Sequence, residues 1–200
     1  KSDKVIVTGH GIDTTLFVPD ESKRSDKFKM LSVGRIAEVK NYETLINAAK
    51  ILKNKGVDFS VTIIGEPAIT VDNIYEQEIK ALIEGLGLSG NFKFLGKMAH
   101  RELIPYYQSH NLFVHLSKTG SLDKTVLEAM SCNMDVLSSN DAAKSFLPPE
   151  LVFKENDSQD LADKIISIYN GNLHYELRDF VVKNHNLDNL INIISTIIKR

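Results

Sequence analysis

Short β-branched or aromatic runs alternate along this chain with longer stretches whose apolar residues recur every three or four positions. The short runs predict strands at Val5–Val7, Met30–Val33, Ser60–Ile64, Phe92–Leu95, Leu112–Leu116, Val136–Ser138 and Leu151–Phe153. The longer ones predict helices over Tyr42–Asn54, Ile74–Leu86, Glu102–Ser109, Lys124–Ser131 and Ser158–Tyr169. Leu45, Ala48, Ala49 and Leu52 share a face of the first helix. Leu161, Ile165 and Ile168 share a face of the fifth, with Asp157 or Ser158 placed to cap it. Nearly continuous apolar strands separated by helices predict an α/β fold: an open, mostly parallel, Rossmann-like sheet with helices on both faces. Such sheets bind ligands beyond the carboxyl ends of their strands. Arg35, Gly65, Lys97 and Ser117 all fall just after predicted strands, which points to one shared site.

Beyond Gly171 the pattern gives two more helices, near Leu173–Lys183 and Leu187–Arg200. The last carries a stripe of Leu187, Leu190, Ile191, Ile194 and Ile198, which either docks on its own domain or crosses to a second one. The reading is one domain, with residues 1–14 a leading strand and linker, 15–170 the α/β core and 171–200 the C-terminal helices. A strand that begins almost at Lys1, without an initiator methionine, suggests a piece of a longer protein.

Composition narrows the function classes. With 42% hydrophobic residues among 200, the chain buries one substantial core. A formal net charge of -2 gives no field drawing it to nucleic acid or anionic lipid. The basic run Lys23–Lys29 is interrupted by Asp26 and Phe28 and reads as a solvated loop. Cys132 is the only cysteine, so no internal disulfide can form, and its apolar helical setting reads as packing. No apolar run is long enough for a membrane-spanning helix. Gly9-His10-Gly11 has the first glycines of a dinucleotide-binding turn, but Thr14 occupies the third position, which argues against a dehydrogenase.

The chemistry concentrates at Leu31-Ser32-Val33-Gly34-Arg35, followed by Lys40. An apolar strand ends in a glycine that lets backbone approach backbone, and the helix that follows is expected to offer free N–H groups. Arg35 can grip two oxygens with its planar fork, and Lys40 adds a mobile point charge. The ligand these imply carries phosphate.

Four ordered segments then resemble the C-terminal, donor-binding domain of GT-B glycosyltransferases, in particular the retaining family 4 group. Gly9-His10-Gly11-Ile12-Asp13 is similar to its Asn-Gly-Ile-Asp turn, and Val33-Gly34-Arg35-Ile36 with Lys40-Asn41 to its Gly-Arg…Lys segment. Phe92-Lys93-Phe94-Leu95-Gly96 is similar to its Val-x-Phe-x-Gly strand, and Val126-Leu127-Glu128-Ala129-Met130-Ser131-Cys132 to its Leu-Glu-Ala-Met-Ala-Cys helix. The likeness spans roughly Val5 to Tyr169. It implies that Arg35 and Lys40 bind the diphosphate of a UDP- or GDP-sugar and stabilise it as it leaves. It also implies that Glu128 holds the ribose hydroxyls and that Lys97 and Met98 line the base through backbone groups. Gly34, Gly65 and the loop Gly120, Ser121, Leu122, Asp123 and Lys124 complete the implied substrate site. A carboxylate can accept two hydrogen bonds from a vicinal diol, which agrees with the role implied for Glu128.

The chain departs from the pattern at one functional position. The family pairs two glutamates with seven residues between them, and Gly120 stands where the first would be. Asp123 either replaces that hydroxyl-binding acid or caps the helix; Lys124 either meets a phosphate or is solvated. Asn133 and Asp135 stand in for the usual Gly and Pro. His110 and His115 flank a strand and read as buried histidines without a role, so no general base is assigned. No Asp-x-Asp occurs, so no metal or other cofactor is expected.

The resemblance thus implies a hexosyltransferase, active only as part of a longer chain whose N-terminal acceptor domain is absent here. It would move a sugar from a nucleoside diphosphate to an acceptor hydroxyl in cell-surface polysaccharide or glycan biosynthesis. The setting is cytoplasmic, with peripheral contact at the inner membrane face through the missing half left open. Alone, the chain is expected to bind donor weakly and to turn nothing over. The alternatives are a catalytically inactive sugar-nucleotide-binding module and a GT-B sugar-nucleotide epimerase, the latter short of acids near the sugar.

Overall fold

A computed structural model describes residues 8–118 and 120–199; the strand expected at Val5–Val7 lies outside them. Five parallel strands form one sheet: β1 (Phe28–Val33), β2 (Phe59–Ile64), β3 (Phe92–Phe94), β4 (Leu112–His115) and β5 (Asp135–Ser138), in the order β3-β2-β1-β4-β5. The chain winds outward from β1 to β3, then returns to the other side of β1 through β4. The strand order therefore reverses at β1 and β4, and the crevice beyond their carboxyl ends is where open α/β sheets bind ligands.

Seven helices accompany the sheet among the described residues: α1 (Tyr42–Asn54), α2 (Thr70–Gly85), α3 (Ile104–Ser109), α4 (Lys124–Ser131), α5 (Ser158–Tyr169), α6 (Arg178–Asn184) and α7 (Leu187–Ile198). The predicted face of α1 is fully buried at Leu45, Ala48, Ala49 and Leu52, and α1 packs against α2 and α5. Asp157 caps α5 by accepting the Asp160 N–H at 2.9 Å. All of β4 is buried, as a strand covered on both faces requires. After α4 the chain turns through Asn133 in the left-handed region, with the Asn133 and Met134 N–H groups closing on the Met130 and Ala129 carbonyls. After glycine, Asn is the residue that tolerates that conformation best.

Some predicted boundaries shift, for local reasons. Helix α2 starts at Thr70, a turn before the apolar repeat, because its first turn is polar. The predicted Glu102–Ser109 helix splits into a 3₁₀ turn at His100–Leu103 and α3, whose Pro105 sits in the first turn. Leu151–Phe153 is not a strand. Pro148 and Pro149 open a 3₁₀ turn through Leu151, and only Val152 bridges to Ser138. Helix α6 begins at Arg178 rather than Leu173, because His174 and Tyr175 are drawn aside to Asp135 and Glu150.

The stripe on α7 divides. Leu187 and Leu190 pack on Gly11 so closely that a Cβ there would lie 2.8 Å from Leu187. Ile191, Ile193, Ile194 and Ile198 face outward, and no α7 residue is fully buried. No helix among the described residues is long and apolar enough to cross a membrane.

Candidate functional site

Three glycines end the first three strands and lie side by side along the carboxyl rim. The Gly34 N–H donates to the Ile64 carbonyl, and the Gly65 N–H donates to the Gly96 carbonyl, each at 2.9 Å. Gly65 is required sterically: a Cβ there would sit 1.8 Å from the Gly34 carbonyl oxygen. Backbone therefore forms the floor of the crevice.

Lys40 lies across that floor. A 3₁₀ turn at Glu38–Lys40, ended by left-handed Asn41, sends its side chain back over β1. A Cβ on Gly34 would be 3.8 Å from the Lys40 Nζ. The ammonium donates to Ser117 Oγ at 3.3 Å and to Asp123 Oδ2. Ser117 and Asp123 belong to the segment after β4, and the Lys118 N–H fixes that segment to the Val39 carbonyl at 2.9 Å. Lys40, Gly34, Ser117 and Asp123 thus meet where the strand order reverses.

Arg35 leaves the same floor toward α2. Its Nε lies 3.8 Å from Asp72 Oδ2, and its side chain is 52% exposed. Asp72 is buried and also accepts the Ala68 N–H at 3.2 Å. Each cation therefore already faces a carboxylate of its own. The expected free N–H groups at the start of α1 are not all available, because the Tyr42 N–H donates to the Tyr75 hydroxyl at 2.9 Å. That hydroxyl donates in turn to Glu43.

Asp123 precedes α4, yet its side chain caps nothing. Its Oδ2 accepts instead from His115 Nε2 at 2.9 Å as well as from Lys40. The His115 hydrogen bond, followed by the Lys40 ammonium, holds the Asp123 carboxyl down at about 2. His115 is buried, and its Nδ1 lies 2.9 Å from Ser138 Oγ, which accepts the Asn140 N–H at 3.1 Å. His115 is thus buried, as expected, and bonded at both ring nitrogens. His110 does fit a structural reading. Burial lowers it to about 4, and the neutral ring donates from Nδ1 to the Tyr106 carbonyl while Nε2 accepts from Thr62.

Glu128 is not a surface acid. It is 3% exposed, with Oε1 2.7 Å from His100 Nε2 and Oε2 accepting the Tyr107 hydroxyl at 2.9 Å. Phe17 packs on both rings, 5.0 Å from His100 and 5.9 Å from Tyr107. A cavity of about 320 Å³ opens beside Glu128, lined by Asp13, Phe17, His100, Arg101 and Lys124. His100 is the outer member of this group, its side chain 62% exposed.

The remaining expected residues lie along the rim or over it. Lys97 is exposed and pairs with Glu66 at 3.0 Å, and Met98 beside it is half-buried. Gly120 and Ser121 are exposed, Leu122 is half-buried, and a Cβ on Gly120 would meet nothing within 4 Å. Asn140 holds the loop by donating to the Ser117 and Ser121 carbonyls at 3.2 and 3.3 Å. Thr119 lies outside the described residues. Sequence reasoning missed Asp72, His100 and Tyr107 altogether; His100 had a signal in its place just after the β3 loop. Among the described residues, no cluster of His, Cys, Asp or Glu is arranged to hold a metal ion.

The family described as glycosyl transferases group 1 matches residues 13–188. A D-inositol 3-phosphate glycosyltransferase of Arthrobacter sp. (strain FB24) is 28% identical over 145 residues, covering 68% of this chain and 34% of the relative. The chain thus spans about a third of that relative's length. Among solved structures, Anabaena Alr3699/HepE in complex with UDP and glucose superposes with a TM-score of 0.82 at 18% identity, over 94% of this chain and 55% of that one. The C-terminal domain of a glycosyl transferase group 1 family protein (LpcC) from Francisella tularensis gives 0.77 at 24% identity, over 88% of this chain and 100% of that one.

Proposed function

Because the chain belongs to the group 1 glycosyl transferases, we propose that it is the donor-binding half of a hexosyltransferase of the family 4-like kind. It binds a UDP- or GDP-linked sugar. With an N-terminal half that supplies the acceptor, it transfers the sugar to a hydroxyl in cell-surface polysaccharide or glycan assembly. The work is done in the cytoplasm or at the inner face of the membrane. The missing half covers the outward isoleucines of α7. The observation that carries the reading is Lys40 laid across Gly34 where the strand order reverses.

The hard part of the reaction is negative charge on the departing diphosphate. A cation aimed at that charge in a partly dry crevice stabilises it most when it is preorganised. Arg35 and Lys40 supply the charges, and the first turn of α4 adds oriented N–H groups. The step is assigned no metal, since the chain has no Asp-x-Asp to hold one. Glu128 accepts the ribose hydroxyls at Oε1 once His100 turns aside, while Tyr107 keeps the other oxygen fixed. The backbone at Lys97 and Met98 meets the base. Asp123 takes the place of the acid missing at Gly120. UDP in the fold of similar shape from Anabaena supports the choice of ligand.

Titration calorimetry of this chain with UDP and GDP tests the assignment. Arg35→Ala should weaken binding by roughly 1.5–3 kcal/mol, the scale of a charged hydrogen bond. Unchanged affinity removes Arg35 from the site. The second reading, an inactive donor-binding module, is favoured by the empty space beyond Gly120. Turnover of a labelled sugar nucleotide by the full-length protein eliminates it.

A further inference from the structure

We propose that His115 is a positioning residue of the donor site: it is the reserve partner that allows Lys40 to leave Asp123 for the diphosphate. The inference rests on the diphosphate reading of Lys40 given above and concerns how that cation is released.

Both donors to Asp123 converge on one oxygen, Oδ2, with Lys40 on one side and His115 Nε2 on the other. The Asp123 side chain is only 26% exposed. Were Lys40 its sole partner, moving the ammonium to a ligand would strand a largely buried anion. Removing one member of such a pair is strongly unfavourable for the charge left behind. A second donor on the same oxygen lowers that cost, because Asp123 keeps a charge-assisted hydrogen bond after Lys40 has gone.

The histidine is built for this task. Its side chain is 4% exposed, so water does not compete for it. A carboxylate can only accept, which places the hydrogen on Nε2. In the neutral ring Nδ1 then accepts the Ser138 hydroxyl, whose oxygen takes the Asn140 N–H. The chain of bonds has one direction and ends on backbone, so the ring stays in place when Lys40 moves. Lys40 itself has a stepping stone in Ser117 Oγ, 3.3 Å away on the floor side. Lys40 thus trades one anion for another, while Asp123 loses one donor and keeps the second.

The test uses two polar replacements of the same buried ring, titrated with UDP and GDP. The amide of His115→Gln reaches about the place of Nε2 and keeps a donor on Asp123. The amide of His115→Asn reaches only the place of Nδ1 and leaves Asp123 to Lys40 alone. His115→Asn should bind the diphosphates about tenfold more weakly than the unaltered chain, and His115→Gln within about threefold of it. In an Asp123→Asn background, where no anion remains to be stranded, His115→Asn should cause no further loss. A tenfold loss that persists in that background overturns the proposal, because His115 would then only support the fold; equal losses in the two single variants overturn it as well. If the unaltered chain binds neither UDP nor GDP, the diphosphate site itself falls, and this inference with it.

Discussion

The two ends of β4 use similar residues in opposite ways. At its amino end, Arg24 donates to the carbonyls of His110 and Asn133, and His110 is saturated by Tyr106 and Thr62. At its carboxyl end, Lys40 and His115 meet the Asp123 carboxylate, and nearby Arg35 meets Asp72. A cation anchored on buried carbonyls cannot be drawn off without leaving those carbonyls unsatisfied. A cation anchored on a carboxylate can exchange one anion for another. Fixed and exchangeable charge are thus separated by the length of one strand.

The sharpest way to break this contrast is at the amino end. Arg24→Ala should destabilise the fold by about 3–4 kcal/mol, since it removes two charge-assisted bonds to largely buried carbonyls. Diphosphate affinity should stay within about twofold, the reverse of the behaviour expected of Arg35→Ala. Denaturant unfolding and calorimetry on the same sample decide it, and a binding defect with unchanged stability would erase the distinction.

Acid titration separates the ends more finely. His110 stays neutral in the fold down to about 4, whereas the unfolded chain takes up that proton near 6.5. Stability is therefore level above 6.5 and falls as pH drops toward 4, by about 3 kcal/mol in all. His110→Gln should flatten that limb in urea melts collected across the range.

Asp123 supplies the smallest effect and the lowest window. Its carboxyl is held at about 2 against 3.8 unperturbed, so its contribution is complete above about 4 and is lost between there and 2. The expected loss is about 2 kcal/mol, and Asp123→Asn should remove it without touching the limb due to His110. Should the two variants alter the same limb, the ends of β4 are not independent.

Much of this architecture was legible along the chain because it is written locally. Helices α1, α4 and α5 run between their predicted ends, since an apolar repeat and a following turn mark each one. Gly34 and Lys40 could be paired from spacing alone, because one short turn joins them. The partners that give the site its chemistry could not. His100 reaches Glu128 across 28 positions, from a 3₁₀ turn to a different helix. Asp72 sits in the polar first turn of α2, ahead of any apolar repeat that would place it. His115 and Asp123 are only eight positions apart, but the loop between them has no periodicity that would show one folding back on the other. Propensity and period place elements; side chains that meet between elements leave no such trace.

Gly65 under the Gly34 carbonyl has a consequence for how such a crevice can diversify. Two main chains that close leave no room to tailor the bottom of the cleft one substitution at a time. Novelty in what is accepted must come from the walls: residues 120–124, the His100 turn and whatever faces them. A library aimed at altered ligand choice should spare Gly65 and spend its variation there.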